Sequence, residues 1–223
     1  MKGVLDKKYA LKREKSGALK YRLRRRADEA IEAIRAFHPN PERILDLGTA
    51  EGRMLSRIKD AYPSAICVGL EYSPELLGLG AALFPDLSFI RADAQRMSFF
   101  KDASFDCIVA TAIIEHLNSP EEMLRESFRI LIPAGILIIT TPHPFWEKLA
   151  SRLGMIQGEH ESVMGFTALR AYCRNAGFQA LEEKGFMISP AGFPGERHME
   201  RLLRRLKADR HLANQLIVLG KPG

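Results

Sequence analysis

Apolar positions along the chain fall into two rhythms. Leu19, Leu23, Ala27, Ala30, Ile31, Ile34 and Phe37 recur mostly at intervals of three and four, which sets them on one stripe of an α-helix. Pro39 and Pro41 in HPNPER forbid that helix from continuing. The rhythm then changes to short apolar runs, RILDL, AICVGLE, LSFI, FDCIVAT and GILIITT, spaced widely enough for a helix between neighbours. Ser73 before Pro74 reads as an N-cap with proline at the first helical position, and Ser119, Pro120 and Glu122 have the spacing of a capping box. Thr167 opens a further helix that stops near Gly177, and two more strand candidates, QALEEKGFMI and NQLIVLG, close the chain. Between those two, Met199, Leu202, Leu203 and Leu206 stand at helical spacing beside Arg201, Arg204, Arg205 and Lys207. The stretch 190–212 therefore reads as an inserted basic amphipathic helix, expected to act as a substrate lid.

Strands that are apolar throughout, rather than at every second residue, are buried on both faces. Alternating with helices, they predict an α/β fold: a doubly wound, mostly parallel, Rossmann-like seven-stranded sheet, with an N-terminal helix and a helical insertion before the last strand. Residues 1–38 are expected as a basic helical arm and 39–223 as one α/β domain, a size that 223 residues with 46% hydrophobic content can support.

Charge sharpens the division. The net charge is +6, yet residues 1–26 hold eleven Lys or Arg against Asp6 and Glu14, leaving 22 basic and 25 acidic residues for the rest. A solvated helix face or an anionic partner both fit such an arm. Long apolar spans and a secretory-type apolar N-terminus are absent from the sequence, so a cytoplasmic protein without an integral membrane segment is expected. Cys67, Cys107 and Cys173 lack metal or disulfide spacing and read as buried free thiols.

Candidate chemistry begins in ILDLGTAEGRM. A strand ends in Asp46, and Gly48 and Gly52 allow the backbone to bend and approach a ligand before a helix starting near Glu51. A dinucleotide fingerprint would place a pyrophosphate there. Two carboxylates, Asp46 and Glu51, favour instead a ligand with an ammonium or sulfonium charge. Glu71 ends the next strand 25 residues after Asp46, where a carboxylate accepts both hydroxyls of a ribose, and Asp93 follows the third strand, placed with the Ala94 backbone to read an adenine edge.

These stretches resemble the class I S-adenosylmethionine-dependent methyltransferases. ILDLGTAEG is similar to their first glycine motif, VGLEYSPE to the acidic second motif, and FIRADAQRMSFFKDASFDCIVATAIIEHL to the third and fourth motifs of the small-molecule branch that includes ubiquinone-biosynthesis methyltransferases. RILIPAGILIITTP resembles the approach to their fifth strand, and GEHESVMGFTALRAYCRNAGF a weaker pattern of a histidine before a helix start. The resemblance covers about residues 40–142. It implies S-adenosylmethionine as cofactor, with S-adenosylhomocysteine as product. Asp46, Gly48 and Gly52 would hold the methionine end, Glu71 the ribose, Tyr72 the adenine face, Asp93 and Ala94 the adenine edge, and Ala110 and Thr111 the sulfonium side. The chain departs from the family pattern at Ala50 and Ala134, both common glycine positions.

Methyl transfer from an activated sulfonium needs chiefly alignment and exclusion of water. A hydroxyl acceptor would also use a base; His116, His143 and His160 fall where the carboxyl edge of the sheet is expected and are the candidate catalytic residues. Phe145 and Trp146 could wall an acceptor or lie under a lid. No metal is implied. The expected acceptor is a small or lipid-like molecule methylated on O or C, with peripheral contact to an anionic membrane surface as a further partner. The alternatives are RNA or a nucleotide gripped by the basic arm, and a nucleoside-binding module without catalysis. Oligomeric state is not encoded in any readable motif.

Overall fold

Strands that must bury both faces need a cover on each, and the chain supplies it. The computed structural model describes residues 7–152 and 164–223. Among them, in chain order, run helices α1 (Lys7–Lys15) and α2 (Gly17–Phe37), strand β1 (Arg43–Leu47), α3 (Arg53–Ala61), β2 (Ile66–Glu71), α4 (Pro74–Leu83), β3 (Ser88–Arg91), β4 (Phe105–Thr111), a one-turn 3-10 helix (Ile114–His116), α5 (Pro120–Ile130), β5 (Leu131–Pro142), α6 (Pro144–Arg152), α7 (Phe166–Asn175), β6 (Gln179–Phe186), α8 (Glu196–Arg205), a second 3-10 turn (Asp209–His211) and β7 (Asn214–Gly220). The sheet order is β3-β2-β1-β4-β5-β7-β6. β7 runs antiparallel to both neighbours and the remaining pairings are parallel. This is the doubly wound α/β sheet that the apolar runs predict.

The alternation inside each strand explains why the runs are apolar throughout. Leu45, Leu47, Ile108, Ala110, Leu137, Ile139, Ile217 and Leu219 face one layer with Met123 and Leu124 of α5 and Leu169 and Cys173 of α7. The intervening Ile44, Cys107, Val109, Ile136, Ile138, Leu216 and Val218 face the other, packing on Ala27, Ala30, Ala33 and Ile34 of α2 and Leu55 and Ile58 of α3. Helix α2 thus covers the sheet directly, and its inner stripe holds small residues that bring the helix close. Residues 17–37, expected in an arm set apart from the domain, are part of one of its layers. The three cysteines are free and buried; burial pushes the thiols up, to about 11 for Cys67 and about 12 for Cys173. No helix among the described residues is long and apolar enough to cross a membrane.

Several local expectations shift. Ser73 does cap α4, its hydroxyl accepting from the Leu76 amide at 3.4 Å. Ser119 makes no side-chain cap: its own N–H donates to Gln95 Oε1 at 2.7 Å, and its carbonyl accepts from Glu122 N at 3.1 Å, so the capping box does not form. Helix α3 begins at Arg53 rather than near Glu51, because Gly52 takes a left-handed φ of 78° as its N-cap. Ala50 and Ala134, the two departures from family glycine, have φ of 52° and 60°, a region that costs a residue with a Cβ about 1 kcal/mol. Ala134 is exposed, with its N–H donated to the Lys221 carbonyl, so only the strain distinguishes alanine from glycine there. Ala134→Gly is expected to stabilise the fold by about 0.5–1 kcal/mol, read as a higher urea midpoint at unchanged m-value; an unchanged or lower midpoint would refute this.

Candidate functional site

Four strands, β3, β2, β1 and β4, end side by side at one edge of the sheet, and the chain leaves each by a loop. At about 4.8 Å per strand they span roughly 14 Å. Asp46 stands one residue before the end of β1, with Gly69 and Val109 as its sheet neighbours. It is fully buried, and among the described residues the Thr49 hydroxyl is the one donor beside its carboxylate, short of good hydrogen-bond geometry. Burial pushes its carboxyl up to about 7; Thr49 works against this and the Glu71 charge adds to it. A buried acid at a strand end without a well-aligned protein partner is short of a cation or donor.

The loop after β1 is tied to β2 before any ligand arrives. The Gly48 and Thr49 amides both donate to the Leu70 carbonyl, at 2.8 and 3.1 Å. Glu71 Oε2 accepts from Ala50 N, and Oε1 accepts from Tyr72 N and Ser73 N, each at 2.9 Å. Each carboxylate oxygen offers two lone-pair sites, so Oε2 retains one. Tyr72, next in sequence, is 46% exposed at this edge. Gly48 and Gly52 both have positive φ, as a sharp bend requires, but their missing Cβ atoms also make room for protein: one at Gly48 would lie 2.8 Å from Ile113 Cδ1, and one at Gly52 would lie 2.6 Å from the Phe89 ring. The glycines therefore serve packing as well as ligand approach.

Asp93 closes a turn onto Gln95, its Oδ1 accepting from the Gln95 N and Nε2 at 2.9 and 3.1 Å; Ala94 beside it is buried. Gln95 carries no family signature, yet its Oε1 takes the Ser119 amide and stitches the loop after β3 to the start of α5. On β4, Ala110 is buried opposite Leu47, and the Thr111 hydroxyl donates to Met54 Sδ at 3.2 Å.

Glu51 is a correction. Read as a second carboxylate for a cationic ligand, it is buried and paired with Arg13 of α1 at 2.8 Å and Arg53 at 3.3 Å. Ala50 packs with Ala10 of α1 and Leu76 of α4 in a small apolar cluster. Helix α1 thus lies over the glycine loop, pinned by an ion pair between residues 38 positions apart, which no local motif announces.

The candidate histidines separate. His116, partly buried, sits in the 3-10 turn after β4. His143 follows β5, and its Nδ1 accepts from Phe145 N at 3.2 Å at the start of α6. Burial, with His211 nearby, lowers its pKa, so the ring is neutral near pH 7. His160 lies outside the described residues. Phe145 and Trp146 are 60% and 43% exposed. Asp46, Glu71, Tyr72, Asp93, Ala94, Ala110 and Thr111 gather along the edges of β1–β4, while His143 stands on the adjoining β5.

Comparison with known proteins bears on the family and the fold. Residues 19–183 match the family model described as a methyltransferase domain. The chain is 32% identical over 123 residues to demethylmenaquinone methyltransferase of Thermus thermophilus, covering 53% of each, and 31% identical over 102 residues to trans-aconitate 2-methyltransferase of Methylobacterium radiotolerans, covering 46% of this chain and 38% of that one. It spans about half or less of the length of these relatives. In fold it is similar to a Haloferax volcanii methyltransferase solved with the Trm112 activator, with a TM-score of 0.69 at 21% identity over 95% of this chain and 96% of that one. With its sheet order, its acids at successive strand ends and a family match over most of its length, the chain belongs to the class I S-adenosylmethionine-dependent methyltransferases.

Proposed function

We propose that the chain transfers a methyl group from S-adenosylmethionine to a small-molecule or lipid-like acceptor, at oxygen or carbon rather than nitrogen. The observation that carries this reading is the surface beside β4 and β5: two exposed aromatic rings, Phe145 and Trp146, next to a neutral imidazole, His143. Such a surface suits an apolar acceptor bearing a polar reacting atom. The segment at the end of β4 and just beyond it, Ala110-Thr111-Ala112-Ile113, lacks the Asn-Pro-Pro-Tyr pattern of amino-group methylation. The relatives named for demethylmenaquinone and trans-aconitate support a small-molecule acceptor.

The residues divide the work as follows. Asp46 fits the ammonium of the methionine end, because it is a buried carboxylate with, among the described residues, no cation beside it and only the Thr49 hydroxyl as a nearby donor. Glu71 keeps a lone pair for a ribose hydroxyl, and Tyr72 offers a ring face to adenine. Asp93 and the Ala94 backbone address the adenine edge, and Ala110 and Thr111 border the sulfonium. Gly48 and Gly52 shape the loop. Bound, the cofactor supplies an electrophilic methyl group; the chain aligns the acceptor and keeps water out. With Nδ1 accepting from Phe145, the hydrogen bond assigns the proton of His143 to Nε2, so His143 orients the acceptor as a donor. His116 and His160 remain the candidates to take a proton.

One observation favours the RNA alternative: a cleft of about 650 Å³ lined by Arg13, Lys20, Arg24, Arg53 and Arg57. Three of these cations are already paired, with Glu51, Glu14 and Asp28, which weakens it as a phosphate site. Incubating the protein and methyl-labelled cofactor with cell extract, then separating RNA, protein, lipid and small-molecule fractions, tests both. Label in the lipid or small-molecule fraction is expected; label confined to RNA would reverse the assignment.

A further inference from the structure

We propose that α8 forms a docking surface for an anionic lipid bilayer. The helix is seated inside out. Its two carboxylates, Glu196 and Glu200, are buried, at 2% and 3% exposure. Glu196 Oε1 accepts the Ile188 and Ser189 amides at 2.7 Å each, and Oε2 accepts from the Tyr21 hydroxyl. Glu200 Oε1 accepts the Met187 amide at 2.8 Å, and Oε2 pairs with Arg25 at 2.6 Å. These acids fix which face of α8 looks inward; Leu203 is half-buried, and three aliphatic residues are left outside: Met199 is 48% exposed, Leu202 56% and Leu206, just past the helix end, 67%. Spacings of three and four put them in one stripe. A contiguous aliphatic stripe on a surface marks an interaction site.

Charge identifies the occupant. Arg201, Arg204, Arg205 and Lys207 are exposed around the stripe, and none has an acidic partner among the described residues. The occupant must supply negative charge together with an apolar interior, and the headgroup layer of an anionic bilayer supplies both. A second copy of this chain would set the same four cations against one another. RNA would satisfy the arginines but leave the aliphatic stripe of Met199, Leu202 and Leu206 unused. Trp146 adds to the surface: its indole N–H donates at 2.7 Å to the carbonyl of His211, in the turn that follows α8, and its ring meets Phe145 edge-on at 5.2 Å. Exposed Trp and Phe, with the Trp tied to the turn that follows α8, are side chains suited to a membrane interface. Because α8 connects β6 to β7 at the sheet edge where β1–β4 also end, a docked protein would hold its candidate site toward the lipid. The inference goes beyond the acceptor reading and does not depend on it.

Sedimentation of the protein with vesicles of phosphatidylcholine, alone or mixed with phosphatidylglycerol, tests this without acceptor or cofactor. Binding to the mixed vesicles is expected. Leu202→Ser with Leu206→Ser, and separately Arg204→Glu with Arg205→Glu, should each lower the partition coefficient by about tenfold or more. All four side chains are exposed, so cofactor binding and the melting temperature should stay unchanged and certify the fold. Equal binding to neutral vesicles, no binding to either, or binding that neither variant alters would overturn the proposal. So would a concentration-dependent dimer abolished by the leucine pair without vesicle binding, which would assign the surface to a second copy. Retention on a polyuridine oligonucleotide, lost only in the arginine pair, would assign it to RNA.

Discussion

Arg25→Ala is expected to cost about 3–5 kcal/mol of folding stability, the range for removing one partner of a buried ion pair. Arg25 is 3% exposed and lies 3.0 Å from Glu29 and 2.6 Å from Glu200, while Lys184 reaches Glu29 at 3.1 Å from β6. The cluster joins α2, β6 and α8, so its loss would leave Glu200 charged, buried and without its cation. Against a usual total of about 5–15 kcal/mol, that is a large fraction. Urea unfolding of the variant at neutral pH measures it. Restoring an apolar set, Arg25→Met with Glu200→Leu, should recover much of the deficit, because a buried pair is worth far less against a hydrophobic replacement than against a broken half. A deficit below about 1 kcal/mol for Arg25→Ala would mean that water reaches the cluster in solution.

Asp46 should make cofactor binding depend on pH. Its carboxyl, pushed up to about 7 in the folded protein, stays protonated at acidities where an ordinary carboxyl has ionised. The sign follows. The folded state holds this proton more tightly than the unfolded one, so the group's stabilising contribution is complete below about pH 4 and fades as pH climbs toward 7. A ligand ammonium at Asp46 favours the ionised form, so the proton leaves on binding. Affinity for S-adenosylmethionine should therefore rise by up to about tenfold per pH unit below 7 and level off above it, with about one proton released by calorimetry in buffers of different ionisation enthalpy. S-adenosylhomocysteine keeps the ammonium and should show the same slope. Asp46→Asn should flatten the profile and weaken binding above pH 7 by about ten- to a hundredfold, as the loss of a charged hydrogen bond implies. A slope that survives in Asp46→Asn would move the titrating group elsewhere.

Much of this architecture is legible in the residues because it is local. The central strands β1, β4, β5 and β7 are mostly apolar and set alternate side chains in the two cores, whereas the edge strands β3 and β6 are polar at several positions. The Ser73-Pro74 start of α4 follows from chemistry within three residues. The acids at strand ends are visible because the family spaces them regularly. What is hidden is set by distant partners. Nothing near Glu196 or Glu200 reveals that Tyr21 and Arg25, 175 positions away, will draw them inward and turn Met199 and Leu202 of α8 outward. The same holds for Glu51, whose loop position suggests a ligand until Arg13 is seen beside it. Gln95 is silent for another reason: a bridging amide has no spacing rule. The alanines at 50 and 134 carried a signal, since a residue standing where relatives keep glycine marks a left-handed turn.

Helix α1 rests on the very loop proposed to cradle the methionine end, through Ala10 on Ala50 and Arg13 on Glu51. Thermodynamic reciprocity then ties two events that seem unrelated, the seating of an N-terminal helix and the capture of a nucleoside. A protease that clips residues before Ser16 should act more slowly on the liganded protein, and a truncated chain should hold its ligand more loosely.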